Sequence, residues 1–323
     1  MDNKPANTNR TVDPELEPAL RVFPEITFRK DNLERLREMM NRETREMLSS
    51  LPEPEGVSFR GLEVPGPAGQ PDVRIRICEP EEPDAPLPGL LWIHGGGYVS
   101  GIPEQADLRL AALAREIGCV AVSVAYRLAP EHPFPAPLED CYVALKWMFD
   151  QSEVLGIDRK RIAIGGGSAG GGLAAGLGLL ARDREELKVC YQLLLYPMLD
   201  DRNTAQASDA LPDTLFWTRH NNHFGWKAYL GEEPGKDGVS VYAAPARAVD
   251  LAGLPPTFIA VGDIDLLAEE DILFAQSLLQ SGVPVELHVY PGAFHAFDVK
   301  VPEAEGSKSC NTSVLQALKK ALS

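Results

Sequence analysis

The sequence has no apolar run long enough to cross a membrane, and its polar N-terminus contains no apolar leader core. The first absence excludes a helical membrane protein. The second speaks against a secretory leader and makes the cytoplasm the expected location. Cysteine is scarce: five residues, at 78, 119, 141, 190 and 310, odd in number and without a C-x-x-C pair. That argues against a disulfide framework or a zinc site. Cys119, Cys141 and Cys190 fall in apolar runs and read as small core residues. Basic residues are few, 31 against 47 acidic, for a net charge of -16. Such a surface disfavours nucleic acid and anionic membranes as partners. Internal repeats and low-complexity tracts are lacking. So is an H-E-x-x-H metal motif, since His220 and His223 stand in HNNH without an acidic neighbour.

What is present is ordinary for a globular protein: 323 residues, 44% hydrophobic and 24% charged. That length supports one large α/β domain. Val57–Val64 and Asp72–Cys78 read as an antiparallel pair, because Val73 and Ile75 alternate with Arg74 and Arg76. Continuous apolar runs follow at 90–93, 120–124, 162–164, 193–196, 258–261 and 285–290. Runs without alternation are what a parallel sheet buried on both faces requires. Helical segments are predicted at about 104–117, 136–151, 169–184, 266–281 and 309–322. The alternation predicts a single α/β domain over 1–323 with a mostly parallel central sheet and helices on both faces.

Two segments stand outside that rhythm. Residues 31–51 form a charged amphipathic stretch ahead of the sheet. Residues 200–250 contain no strand-like run and are rich in Phe216, Trp217, Phe224, Trp226 and Tyr229. The first either packs on the surface or forms part of a lid, and the second reads as a helical cap over the carboxyl ends of the strands, where open α/β sheets bind ligands. Phe216 and Trp217 are candidate substrate-binding residues.

The richest stretch is Arg161–Ala175, RIAIGGGSAGGGLAA. An apolar strand runs into glycines, Ser168 and a small-residue helix. Gly166–Gly170 fits G-x-S-x-G, the sharp strand-to-helix turn that lifts a serine hydroxyl above the sheet. Gly165, Gly167 and Gly170 equally fit G-x-G-x-x-G, the dinucleotide fingerprint, with Asp200 ending the next strand as a candidate ribose ligand. A Gly-rich turn without chemistry is the third reading. This segment alone does not choose between them.

Three other clusters bear on the choice. In LLWIHGGGYVSG, 90–101, consecutive glycines follow a buried strand and let backbone N–H groups converge on an anion. His94 belongs to that loop and reads as a residue fixing the turn. In VGDIDLLAEED, 261–271, Asp263 and Asp265 lie in a strand-to-helix loop, where one can orient a histidine and one can cap the helix. In VELHVYPGAFHAF, 285–297, His295 follows a strand and a Pro-Gly turn. Serine, aspartate and histidine thus occur in the chain order of a hydrolase triad. His132, His220, His223 and His288 read as non-catalytic.

With these motifs the chain resembles the hormone-sensitive lipase family of carboxylesterases, within the α/β-hydrolase fold. The likeness runs from about Leu90 to the C-terminus. It includes HGGG at 94–97, YRLAPEHPFPAPLEDCYVAL at 126–145, GGSAGG at 166–171, YPMLD at 196–200 and GVPVELHVYPGAFHAF at 282–297. The resemblance implies the catalytic set Ser168, Asp265 and His295, with Asp265 preferred to Asp263. It implies an oxyanion hole from the N–H groups of Gly96, Gly97 and Ala169, and a cap built from about 1–50 and 201–245. It implies a small-molecule ester substrate with a short to medium acyl chain, no cofactor and no metal, and it leaves a homodimer open. One departure is Gly167, where the family usually has Asp or Thr. The rivals are a non-catalytic small-molecule receptor on the same fold and a dinucleotide-dependent oxidoreductase. The first typically loses the histidine, which this chain keeps. The second leaves HGGG and His295 without a role.

Overall fold

The computed structural model describes residues 11–22, 26–82, 86–202 and 216–323. Eight strands form one sheet: β1 (Val57–Val64), β2 (Val73–Pro80), β3 (Leu87–Ile93), β4 (Val120–Val124), β5 (Ile157–Gly167), β6 (Tyr191–Leu195), β7 (Thr257–Gly262) and β8 (Val285–Tyr290). The helices are α1 (Glu17–Val22), α2 (Leu33–Ser49), α3 (Asp107–Ile117), α4 (Ala136–Asp150), α5 (Ala169–Arg184), α6 (Arg219–Leu230), α7 (Ala268–Gln280), α8 (Phe297–Lys300) and α9 (Glu305–Leu322). The strand order is β1-β2-β4-β3-β5-β6-β7-β8. β2 runs antiparallel to both neighbours, and every later pair is parallel.

Every residue of β3, β4, β6 and β7 is buried, as their unbroken apolar runs demand. Helices supply the cover on both faces. Leu110 and Leu113 of α3 and Val314 and Leu318 of α9 share one apolar layer with Leu90 and Trp92 of β3. Leu145 of α4, Leu177 of α5 and Phe274 of α7 share the other with Leu91 and Ile93.

The order of the strands creates the crevice. From β3 the chain crosses by α3 to β4 on one side, then by α4 to β5 on the other. The loops after β3 and β5 therefore leave neighbouring strand ends in opposite directions, which is where such sheets bind ligands.

β5 is longer than its apolar centre predicts. It takes in the polar 158–161 segment and ends in three glycines. Pairing on both sides accounts for the glycines, with Gly165 opposite Trp92 of β3 and Leu193 of β6, while 158–161 bulge out between the Leu87–Ile157 and Gly89–Ile162 pairs. α9 likewise starts at Glu305, ahead of the predicted 309. Cys119 and Cys141 are buried as expected, while Cys190 is only half-buried.

Residues 1–10, 23–25 and 203–215 of the expected cap lie outside the described residues. The described parts lace the N-terminal segment to α6. Asn221 accepts from the Phe28 N–H at 2.9 Å and donates to the Ile26 carbonyl at 2.6 Å. His220 Nε2 lies 2.8 Å from the Phe28 carbonyl oxygen. Arg37 of α2 donates to the Val99 and Ala129 carbonyls, anchoring α2 beside the loop that follows β3. Among the described residues, no strand falls between 200 and 250, and no helix is long and apolar enough to cross a membrane.

Candidate active site

Ser168 stands at the end of β5 with φ 58° and ψ -125°, a backbone geometry that L-residues adopt only under constraint. The constraint is visible. Its N–H donates to Leu195 at 2.9 Å, and its carbonyl accepts from Met198 at 3.1 Å. α5 begins at the next residue, so the Ala169 N–H is one of the helix-start donors without an intrahelical acceptor. Close approach dictates the small residues here. A Cβ on Gly170 would lie 2.1 Å from the Ile93 carbonyl oxygen.

That contact brings the loop after β3 against the serine turn. Gly96 and Gly97 have φ of 120° and 61°, values that glycine adopts without penalty. His94 fixes this loop. Its Nδ1 lies 2.8 Å from the Gly95 carbonyl oxygen, its ring stacks on Tyr126, and the Tyr126 hydroxyl donates to the His94 carbonyl. Burial pushes the His94 imidazole down to about 4, so it stays neutral in its structural role.

The loops after β7 and β8 bring the remaining groups. His295 Nε2 lies 2.9 Å from Ser168 Oγ. His295 Nδ1 lies 2.7 Å from Asp265 Oδ2. Asp265 Oδ1 accepts the Leu267 N–H at 3.0 Å, which fixes the carboxylate. All three residues are buried. An unbroken hydrogen-bonded chain from hydroxyl through imidazole to carboxylate can carry a proton off the serine. Asp263 does not cap the helix as expected: its Oδ1 accepts the Gly292 N–H at 2.7 Å and ties this loop to the turn after β8, and α7 starts at Ala268 with no side-chain cap.

Trp217 roofs the site. Its ring centroid is 5.9 Å from that of His295, and a Cβ on Gly97 would lie 2.3 Å from the indole. Its Nε1 donates to buried Asn222 at 3.0 Å, which holds the ring in place. Phe216 turns elsewhere. It stacks on Phe294 at 6.2 Å, with the Lys300 ammonium 4.4 Å from its centroid, beside the histidine loop rather than over the serine.

The other histidines stand apart. His220 serves the N-terminal segment, His223 pairs with exposed Glu233, and His288 pairs with Glu286 on β8. The glycines of the dinucleotide pattern are used for packing, Gly165 within β5 and Gly170 against β3. Asp200 is held by both Nε and Nη2 of Arg202 at 2.7 Å. Among the described residues, no group of three or more acidic, His or Cys side chains could hold a metal ion.

Sequence reasoning missed Tyr196, Asn222 and Glu270. Tyr196 read as a strand residue and Glu270 as part of an acidic helix start. The buried Glu270 accepts the Leu199 and Asp200 N–H groups, joining α7 to the segment after β6. Only the YPMLD and EED motifs marked these places.

Glu270 and its neighbour Asp271 also shape the stability. Asp271 is fully buried, and among the described residues neither carboxyl oxygen has a hydrogen-bond partner. Burial, then the charges of Glu270 and Asp265, holds its pKa well above the usual 3.8. A carboxyl raised in the folded state stabilises the fold while protonated, and that contribution is lost as pH rises past its unfolded value. Stability should therefore decline from about pH 4 upward through this group. Asp271→Asn, which mimics the neutral acid, should flatten the decline. Thermal midpoints of both proteins across pH check it, and parallel curves would refute it.

A family model described as alpha/beta hydrolase fold matches residues 90–299. Esterase LipI of Mycobacterium tuberculosis is 35% identical over 92% of this chain and 89% of its own length. Carboxylesterase NlhH of the same organism is 33% identical over 99% of both. Among solved structures, a bacterial heroin esterase superposes with TM-score 0.92 at 44% identity, covering 97% of this chain and 98% of its own. The geometry and these likenesses agree: the chain belongs to the α/β-hydrolase family, in its hormone-sensitive lipase branch.

Proposed function

We propose that Ser168, His295 and Asp265 carry out acyl transfer from esters to water in this chain. The chain is a carboxylic ester hydrolase, as its named relatives are. The observation that carries the assignment of roles is the continuous bond from Ser168 Oγ through His295 to Asp265, at 2.9 and 2.7 Å.

Each residue then has a defined task. His295 Nε2 accepts the Ser168 proton as Oγ attacks the ester carbonyl. Asp265 holds the Nδ1–H tautomer and stabilises the imidazolium. The N–H groups of Gly96, Gly97 and Ala169 receive the oxyanion, where prearranged donors in a buried site act without reorganisation. His295 returns its proton to the leaving alcohol. It then takes one from the water that attacks the acyl-enzyme and gives it to Ser168 Oγ as the acyl–oxygen bond breaks and the acid leaves. The retained histidine in full contact with both partners favours this reading over a non-catalytic receptor.

The proposed substrates are esters with short to medium acyl chains, and the similarity to the heroin esterase fits small acyl groups. Trp217 supports the size limit, because its indole is pinned by Asn222 above Gly97 and beside His295. A p-nitrophenyl ester series of rising acyl length tests both points. We expect turnover to peak at the short end and fall with length. Trp217→Ala should move that peak to longer chains while the thermal midpoint shifts little. An unchanged profile, with the loss of about 3–5 kcal/mol typical of a core Trp or Phe, would make the cap side chain purely structural.

The cytoplasm is the proposed location, and the five free cysteines suit a reducing compartment. A homodimer is the proposed assembly. The open β8 edge, with Leu287 and Val289 37% and 39% exposed, supports it.

A further inference from the structure

Behind the catalytic histidine lies a second hydrogen-bonded chain that the acyl-transfer scheme does not use. Tyr196 follows β6 directly. Its φ of 38° is unusual for a residue with a side chain. Such strain persists only where the surroundings over-determine it. Here both ends of the residue are fixed. Its N–H donates to the Ala260 carbonyl at 2.7 Å, and its hydroxyl donates to Asp298 Oδ1 at 2.9 Å. Asp298 is buried and accepts from Arg109 of α3 at 2.5 Å through Oδ2. Arg109 in turn meets Asn311 of α9 and lies over the Trp92 ring.

The ring between these anchors packs on His295 and lies beside Gly167, the residue before Ser168. Its centroid is 4.9 Å from the His295 ring, edge to face at 66°. A Cβ on Gly167, the residue before the nucleophile, would lie 3.4 Å from the Tyr196 ring. The phenol thus forms one wall beside position 167. Asp298 also sits in the first turn after His295, so the anchor of the ring and the base belong to one short segment.

We propose that Tyr196, tethered through Asp298 to Arg109, is a positioning residue that sets the approach of His295 to Ser168. This rests on the catalytic reading above. Proton transfer needs the base within hydrogen-bond reach, and a displacement of about 1 Å can cost on the order of a hundredfold in rate. Tyr196 touches no reacting atom. It acts by holding the imidazole against a fixed wall while Asp265 holds it from the other side. Burial keeps its phenol neutral, so it supplies shape and a tether rather than charge.

The test is Tyr196→Phe, which keeps the ring and removes the tether, with competent sites counted by titration with a serine-directed phosphonate. Per titrated site, kcat on a short p-nitrophenyl ester should fall about tenfold with KM changed less than twofold. The rate of phosphonate labelling should fall in parallel, since it needs the same base. Arg109→Gln, which loosens Asp298 from a helix remote from the substrate, should lower kcat in the same way but less. If either folded variant keeps wild-type kcat per titrated site, the network is only structural and the proposal is overturned, whatever happens to the melting temperature. Wild-type protein that neither hydrolyses the ester nor reacts with the phosphonate would instead overturn the catalytic reading itself.

Discussion

Ser168→Ala will abolish ester hydrolysis while leaving the molecule folded. Removing a triad nucleophile typically lowers kcat by about 10⁶-fold, which corresponds to roughly 8 kcal/mol of transition-state stabilisation. The cost to the fold is far smaller. The substitution deletes one hydrogen bond, to His295, and a typical net value is about 0.5–1.5 kcal/mol. Alanine meets the same backbone strain at φ 58° that serine already bears. The loss of rate therefore reports chemistry and not unfolding. A serine-directed phosphonate should label the wild type at Ser168 alone and should not label the variant. Labelling elsewhere, or full activity in the variant, would remove Ser168 from the mechanism.

Asp265→Asn should lower kcat by about 10⁴-fold, or roughly 5.5 kcal/mol, because an amide nitrogen facing Nδ1 would stabilise the wrong imidazole tautomer. Asp263→Asn should cost less than about tenfold. Its Oδ1 holds the Gly292 N–H, and an asparagine oxygen accepts that bond equally well. The two aspartates are two residues apart in one loop, so the comparison separates catalysis from loop support. kcat for both variants on one ester decides it, and the reverse ranking would assign the histidine to the wrong carboxylate.

The sequence made the central strands legible because burial on both faces leaves an unbroken apolar signature. β3, β4, β6 and β7 carry it in full. β5 carried it only at its centre, since pairing to both neighbours, which a sequence does not display, recruits its glycines, and its polar 158–161 start is a bulge between two pairs with β3. The candidate serine and histidine were readable from their places at strand ends and their chain order, while those signals left Asp263 and Asp265 both open and only the family resemblance preferred Asp265. Trp217 was found by the aromatic density of its segment, yet the same signal included Phe216, which packs on Phe294 instead. Direction within a loop is decided by tertiary contacts, here the Asn222 bond to the indole. Tyr196 and Asp298 were invisible for the same reason. Their partnership spans 102 residues, and each alone resembles an ordinary neighbour of a motif. Expectations on residues 1–10, 23–25 and 203–215 concern parts of the cap outside the described residues.

The strand order also determines how activity is lost. Ser168 and His295 are 127 residues apart in the chain, and His295 hangs from β8, the last strand, which has a single neighbour. On heating, an edge strand opens at lower free energy than the whole molecule unfolds. The proposed base is therefore mounted on the margin of the sheet and the proposed nucleophile at its centre. Partial opening of that margin is expected to silence the enzyme while most of the fold persists, so that activity is lost below the melting temperature and returns on cooling.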